Sequence, residues 1–459
     1  MTRVVIIGAG PTGLGAAYRL SELGHDDWDI YEKSDRVGGL AASVTDGRGF
    51  TYDIGGHVLF SHYRYFDELV DRLLGQDYTR IEREAWIWMR ERYVPYPFQN
   101  NIRYLDRDEI LECLNGLIAA QRQARSSTTF EEWINATFGA GIARQFMLPY
   151  NFKVWATPSA LMSKQWMAER VSVVDVERVL GNVIHERDDA SWGPNNTFKY
   201  PLRGGTGAIY RAFVPYVESR LHYGKEAVAV DLDRRTVEFS DGSGTHYDAL
   251  ISSMPLDLLV ARTARAPSAM REAAGELVHN SSYIVGVGVR KSVQTAKCWI
   301  YYPEADAPFY RVTYLSNYSP YMTPDPEHIL LLSETTHSPW KPEPRETIVQ
   351  RVVDGMVATR LLDEDDRARI VTTHLIEVPY EYPVPTLGRD DALATLQPFY
   401  MSKDVYSRGR FGAWTYEIGN MDHSVMQGVE AVDHVLRGSE EVTWKPASPS
   451  PRATAAAAD

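Results

Sequence analysis

A chain of 459 residues exceeds what one compact core serves and implies two or three domains. Hydrophobic residues make up 44% and charged residues 24%, the balance of a globular enzyme, and a net charge of −13 argues against a nucleic-acid backbone as main partner. Cys113 and Cys298 lie far apart and imply neither a disulfide scaffold nor a cysteine metal site; no apolar run reaches membrane-spanning length.

The amino terminus runs straight into an apolar strand over residues 3–8 rather than a signal peptide, so a cytoplasmic location is expected. A glycine turn and a helical pattern through Tyr18 and Leu20 to Gly24 follow, then a second strand around Asp29 to Glu32. Gly8-x-Gly10-x-x-Gly13 thus sits between strand and helix, the context a dinucleotide fingerprint requires. The first glycine makes the tight turn, the second admits a pyrophosphate to the backbone, and the helix N-terminus faces it with free N–H groups. Glu32 stands where a carboxylate can accept hydrogen bonds from a ribose diol. Arg36-Val37-Gly38-Gly39 supplies a second close-approach glycine pair, which suits FAD threaded deep into the protein.

Residues 53–62 read DIGGHVLFSH, with Gly55 and Gly56 leading into His57 and His62 following. The spacing of the two histidines fits poorly to metal ligands on one helix face, and no cysteine or carboxylate cluster accompanies them in the sequence. A packing histidine is the plain alternative. From about 104 to 185 the pattern is helical: Ile110, Cys113, Leu114, Leu117 and Ile118 share a face, and Thr129-x-x-Glu132 reads as a capping box. From about 280 the period becomes two, with Val285, Val287 and Val289 alternating with small or charged residues. Trp299–Tyr302 and Tyr310–Tyr314 flank a PEADAP turn and predict a hairpin. A last helix is expected over Ser424–Leu436. Asp422 reads as its cap, with the exposed N–H groups beside His423 and Ser424 facing electron-rich flavin oxygens. An Asp422-His423-Ser424 triad is a poor reading, because adjacent residues point in different directions. Residues 439–459 read as a disordered tail.

The blocks DIGGHVLFSHYRYFD, YVPYPFQNNI, FMLPYNFKVWA, WGPNNTF, PLRGGTG, CWIYYPEADAPFYR, SNYSPY and SRGRFGAWTYEIGNMDHS resemble, in order, those of the eukaryotic-type UDP-galactopyranose mutases. The resemblance spans nearly all of residues 3–436. It implies an α/β chain: a Rossmann-type FAD-binding domain (1–78, 199–279 and 389–438), an inserted helical substrate domain (100–191) and an antiparallel sheet domain (79–99, 192–198 and 280–388). It also implies a redox-neutral interconversion of UDP-galactopyranose and UDP-galactofuranose, or a closely related UDP-sugar. In that chemistry N5 of the reduced flavin attacks the anomeric carbon as UDP leaves, and the sugar ring reopens and recloses on the adduct. Members differ in oligomeric state, which therefore stays open. An FAD-dependent oxidase or dehydrogenase of an amine or alcohol is the alternative, because the fingerprint is shared.

Residue by residue, the resemblance places Arg170 and Arg311 on the diphosphate, a role suited to a permanently charged, bidentate guanidinium. Tyr301, Tyr318, Tyr382 and Tyr416 match tyrosines around diphosphate and sugar, and Arg410 and Asn420 match positions near flavin and sugar. Tyr96, Phe98, Gln99, Phe146, Asn151 and Trp155 match the uridine end, where aromatic faces stack and amides read polar edges; helix core is the plain alternative for Phe146 and Trp155. Asn195 matches a mobile-loop residue. Arg83 and His62 match residues of a site for NADPH, the expected reductant. The chain departs from the pattern at Ser191, an asparagine in the member compared, and at Arg83-Glu84-Ala85, there Arg-Ile-Ser. His57 is expected to lie against the flavin and support its reduction, with Gly55 and Gly56 as the moving part.

Overall fold

The computed structural model describes residues 1–122, 126–167, 174–190, 196–292 and 295–446. Strand Val4–Ile7 is buried on both faces, and this explains its unbroken apolar sequence. It lies at the centre of a five-stranded sheet in the order Val405–Ser407, Ala249–Ser252, Val4–Ile7, Trp28–Tyr31, Leu221–His222. Every neighbouring pair in this sheet is parallel, with Val4 opposite both Ala249 and Trp28. The fingerprint helix, Pro11–Glu22, packs against this sheet and against the last long helix, Met421–Arg437. The second strand ends one residue before Glu32.

A second, seven-stranded sheet runs in the order Ile370–Val378, Ser281–Arg290, His328–His337, Arg311–Tyr314, Trp299–Tyr301, Ala85–Met89, Arg92–Pro95. The hairpin predicted around the PEADAP turn is present, with Tyr301 opposite Arg311. The sheet is antiparallel except where Trp299–Tyr301 joins Ala85–Met89 in parallel. This one parallel pairing attaches an early segment of the chain to a late hairpin. In Ser281–Arg290, Val285, Val287 and Val289 enter one core, and Ile284 enters another on the opposite face. The strand is buried on both sides, so its apolar alternation is filled in by glycine rather than by polar residues.

The helical part comprises Arg107–Arg122, Phe130–Ile142, Leu148–Trp155 and Val176–Ile184. The Thr129 capping box forms: Glu132 N donates to Thr129 Oγ1 at 3.1 Å, and Thr129 N donates to Glu132 Oε2 at 3.2 Å. Its core continues into the second sheet through Ile87, Met89 and Val94. Helix Leu148–Trp155 is thereby held against that sheet. Among the described residues, no helix is long and apolar enough to cross a membrane.

The expected tail is corrected at its start. Glu441 forms a buried bidentate pair with Arg408 (2.6 Å to each oxygen), and the Arg408 guanidinium lies 3.6 Å from the Trp444 ring centroid. Arg408 has no exposed surface and needs a counter-charge, so the chain after 438 folds back to supply one. The positions from 447 onward lie outside the described residues. Glu441→Ala is expected to cost about 3–5 kcal/mol, because it leaves a buried guanidinium uncompensated. Urea unfolding of the variant against the parent measures this loss.

Candidate active site

The fingerprint glycines are fixed by close approach. Gly8 has φ +94°, and a Cβ on Gly13 would stand 1.8 Å from the Gly8 carbonyl oxygen. A Cβ on Gly39 would approach Gly10 Cα to 3.2 Å, and Gly38 N donates to Ala9 O at 2.8 Å. The two glycine pairs therefore face each other across one narrow cradle, which side chains would fill. Glu32, buried beside it, accepts from Ala9 N (2.7 Å) through Oε2 and from Ser34 N and Oγ (2.9 and 2.8 Å) through Oε1. Glycine backbone, a helix N-terminus and one carboxylate at the strand end form a donor set that fits a dinucleotide. The Arg36 side chain is exposed and turns to Asp35 at 2.9 Å.

At the other end of this domain the expected cap is corrected. The last helix begins at Met421, with Asn420 at its N-cap position, so Asp422 lies inside the first turn. Its carboxylate accepts instead from His62 N (3.0 Å) and His62 Nδ1 (2.8 Å), across 360 positions of sequence. A tertiary partner has taken the acceptor that local sequence assigned to the helix end. His423 packs at 4.7 Å from the His62 ring, and Ser424 N donates to Asn420 O at 2.8 Å. Against the burial that would raise it, hydrogen bonds and charge from His423 and His62 lower the Asp422 pKa to about 2.

Between these ends lies the Gly-Gly-His loop. Asp53, at its start, accepts from Ser43 Oγ (2.5 Å), Tyr200 Oη (2.6 Å), Thr206 N (3.0 Å) and Thr206 Oγ1 (2.8 Å). Gly55 follows with φ +93°, the left-handed region that favours glycine. His57 Nδ1 donates to Gly55 O at 3.0 Å, which leaves Nε2 as the free lone pair of the neutral ring. Burial lowers the His57 pKa; Asp53 and Glu334 oppose this, while Arg410 and Arg311 reinforce it.

Arg311 stands directly behind that loop. Its Nε and Nη2 engage the Glu334 carboxylate, the second at 2.7 Å, and Nη2 also donates to Gly56 O at 3.2 Å. Glu334, 1% exposed, accepts in addition from Gly56 N at 2.7 Å. Arg311 holds the Glu334 pKa below its usual value against the effect of burial. Tyr310 and Tyr382 meet hydroxyl to hydroxyl at 3.1 Å, and Arg410 lies 5.5 Å from the Tyr382 ring centroid while donating to Gly419 O (3.0 Å). Tyr416 packs edge-on to Trp155 (4.8 Å) and Tyr382 (5.5 Å). These residues, far apart in sequence, converge on one wall beside the loop.

The expected nucleoside residues divide. Tyr96 and Tyr301 pack at 5.1 Å and are half-buried, with Tyr150 5.2 Å from Tyr301. Phe98, Phe146 and Trp155 are at most 2% exposed, and Phe98 stacks on Phe146 at 5.0 Å inside the helical core. For Phe146 and Trp155 the surroundings are those of the core-packing alternative, and Trp155 also meets Tyr416 at 4.8 Å. Gln99 and Tyr318 are also buried, and half-buried Asn151 donates to Met147 O at 2.7 Å within its own helix. Arg83 Nη2 donates to Asn196 Oδ1 at 3.2 Å, whereas His62 is turned to Asp422, so the two residues expected for NADPH have different neighbours. Arg170, Ser191 and Asn195 lie outside the described residues.

Asp53, Glu334, Glu381, Tyr150 and Tyr310 were missed from sequence. Glu334 had a signal: it is an acidic residue inside a strand, His328–His337, buried over its whole interior. Asp422→Asn is expected to lose about 2 kcal/mol of stability at neutral pH. The folded pKa is depressed, so this contribution is present above the unfolded value of about 4 and vanishes as pH falls towards 2. Denaturation of variant and parent at stepped pH values tests that convergence.

Comparison with known proteins fits this geometry. Residues 11–436 match the family described as flavin containing amine oxidoreductase. A structure described as reduced UDP-galactopyranose mutase superposes with a TM-score of 0.93 at 45% identity, covering 96% of each chain. A cyclohexylamine oxidase from Brevibacterium oxydans superposes at a TM-score of 0.67 and 16% identity, over 95% of this chain and 98% of the other; this shows a common fold alone. Among curated sequences, a 4,4'-diapophytoene desaturase of Staphylococcus aureus is 32% identical over 124 residues, 27% of this chain, and the match spans only 22% of that relative's length. With the family match over residues 11–436 and near-complete coverage at 45% identity in one structure, the chain belongs to the flavin containing amine oxidoreductases and, among them, to the UDP-galactopyranose mutase family.

Proposed function

We propose that this chain interconverts the pyranose and furanose forms of a UDP-sugar, UDP-galactose first among them, with a resident FAD in its reduced form. The observation that carries this reading is the convergence of the Arg311 guanidinium, the Gly55-Gly56-His57 loop and the tyrosines 301, 382 and 416 beside a dinucleotide cradle. Reduced flavin, when bound, supplies the nucleophile for exchange at the anomeric carbon. Arg311 binds the leaving diphosphate by exchanging Glu334 for phosphate oxygens, a trade between two bidentate partners. Tyr301, Tyr382 and Tyr416 place hydroxyls around diphosphate and sugar, and Tyr96 with Tyr301 offers the half-buried aromatic surface for uracil. Burial and the two arginines keep His57 neutral at pH 7, so it orients and packs rather than carrying charge. NADPH serves as reductant, with Arg83 and His62 as its contacts. FAD-binding, helical and sheet domains divide the chain as the resemblance implies.

Chromatography of products from UDP-galactopyranose or UDP-galactofuranose, with and without dithionite, tests the reaction. Turnover is expected only after reduction; turnover indifferent to reduction overturns the mechanism, and stoichiometric peroxide favours an oxidase. His57→Ala is expected to slow both flavin reduction and turnover by about tenfold or more, on the scale of a lost positioning contact. Stopped-flow reduction and initial rates check it, and two unchanged rates remove His57 from the mechanism.

A further inference from the structure

Two carboxylates sit behind the proposed diphosphate site, and they are treated unequally. Glu334 takes the Arg311 guanidinium and Gly56 N–H. Glu381, in the loop after strand Ile370–Val378, is 7% exposed, and its Oε2 accepts from the hydroxyl of fully buried Ser282 at 3.1 Å. Arg410 reaches only the backbone carbonyl of Glu381 (3.3 Å) and that of Gly419. Among the described residues, no lysine or arginine forms an ion pair with the Glu381 carboxylate. Its backbone is pinned by Glu381 N to Asn280 O at 3.0 Å.

We propose that Glu381 is the proton-accepting group coupled to substrate binding: when the diphosphate arrives, Glu381 takes a proton from solvent, and the anion is bound together with that proton. This rests on the reading of Arg311 as the diphosphate arginine. A buried carboxylate without a cation is costly in its ionised form, and the ionised Glu334 nearby is a like charge. Burial and Glu334 together push Glu381 up to about 7, against Arg410, Ser282 and Arg311. A diphosphate diester adds two negative charges, and Arg311 turning towards it withdraws a cation from the pair of carboxylates. Both changes favour the protonated form, and the proton adds to one carboxylate oxygen with no other bond made or broken.

The groups facing Glu381 define the pH window. The Arg311 and Arg410 guanidinium groups face it, Arg311 holds Glu334 below its usual value before the ligand arrives, and burial pushes the Tyr310 and Tyr382 hydroxyls upward so that they stay protonated. His57, lowered from its ordinary value, titrates at more acid pH. Before the ligand arrives Glu381, pushed up to about 7, is the one of these groups that changes charge near neutrality, so affinity should fall as pH rises from there.

The test is calorimetric titration of UDP-galactopyranose, whose diphosphate diester does not titrate near neutrality, into the oxidised holoenzyme, where no turnover intervenes. Buffers of differing ionisation enthalpy between about pH 6 and 9 report the protons exchanged. The parent should take up a proton, most strongly between about pH 7 and 8. It should lose about tenfold in affinity across the range if the ligand shifts the carboxyl by one unit. Glu381→Gln should show neither effect, and Ser282→Ala, which removes a donor to the carboxylate, should move the uptake to higher pH. Equal uptake in Glu381→Gln, or binding without uptake in the parent, overturns this inference alone. Absence of binding overturns the proposed function and this inference with it.

Discussion

Glu334 is the constraint on which the site depends. One buried carboxylate accepts from the Arg311 guanidinium and from Gly56 N–H, while Arg311 reaches back to Gly56 O. The strand that carries the arginine, the strand that carries its partner and the glycine loop thus form one closed set of hydrogen bonds. Isolated, either charge would be expensive at this depth; together they neutralise each other and fix the loop backbone from both sides. A ligand that draws Arg311 away would release that loop from one of its two ties, which connects the proposed anion site to His57 through covalent and hydrogen-bonded steps.

The same economy governs the other buried charges. Asp53 collects four donors from three separate segments and so fixes where the Gly-Gly-His loop begins. Arg408 is matched by Glu441 and covered by Trp444, and its neighbour Arg410 enters the site on that rigid support. Arg389, also buried, pairs with Glu417 at 2.8 and 3.0 Å and so anchors the short turn that carries Tyr416. Among the described residues, Glu381 has neither the cation that Glu334, Glu417 and Glu441 have nor the several donors that Asp53 collects; its carboxylate accepts from the Ser282 hydroxyl. A buried carboxylate held by a single hydroxyl is left to respond to a charged ligand.

The cradle was legible because its physics is local. Strand, glycine turn and helix follow each other within about twenty residues, and Gly8, at φ +94°, and Gly13, against the Gly8 carbonyl, are required within that segment. The capping box and the hairpin were legible for the same reason. Asp422 was misassigned because Asn420 and Asp422 are both competent near a helix start, and His62, 360 positions away, decides which side chain is drawn elsewhere. Phe98, Phe146 and Trp155 carry the residue types of a stacking site and of a helical core alike, and their burial follows from tertiary packing that the sequence does not display. The chain after 438 looked like solvent-exposed polypeptide because the buried arginine that recruits Glu441 is invisible without the fold.

The sequence by itself determined the dinucleotide cradle, the change from helical to alternating pattern and the order of blocks that identifies the family, since these rest on backbone geometry and on spacing along the chain. Only the tertiary structure decided which carboxylate meets which guanidinium. Glu334 and Glu381 are both acidic residues of late strands or their flanks, and no local rule separates them. Their difference arises where three remote segments meet in a space that water scarcely enters, and there a single arginine can satisfy one of them and not the other.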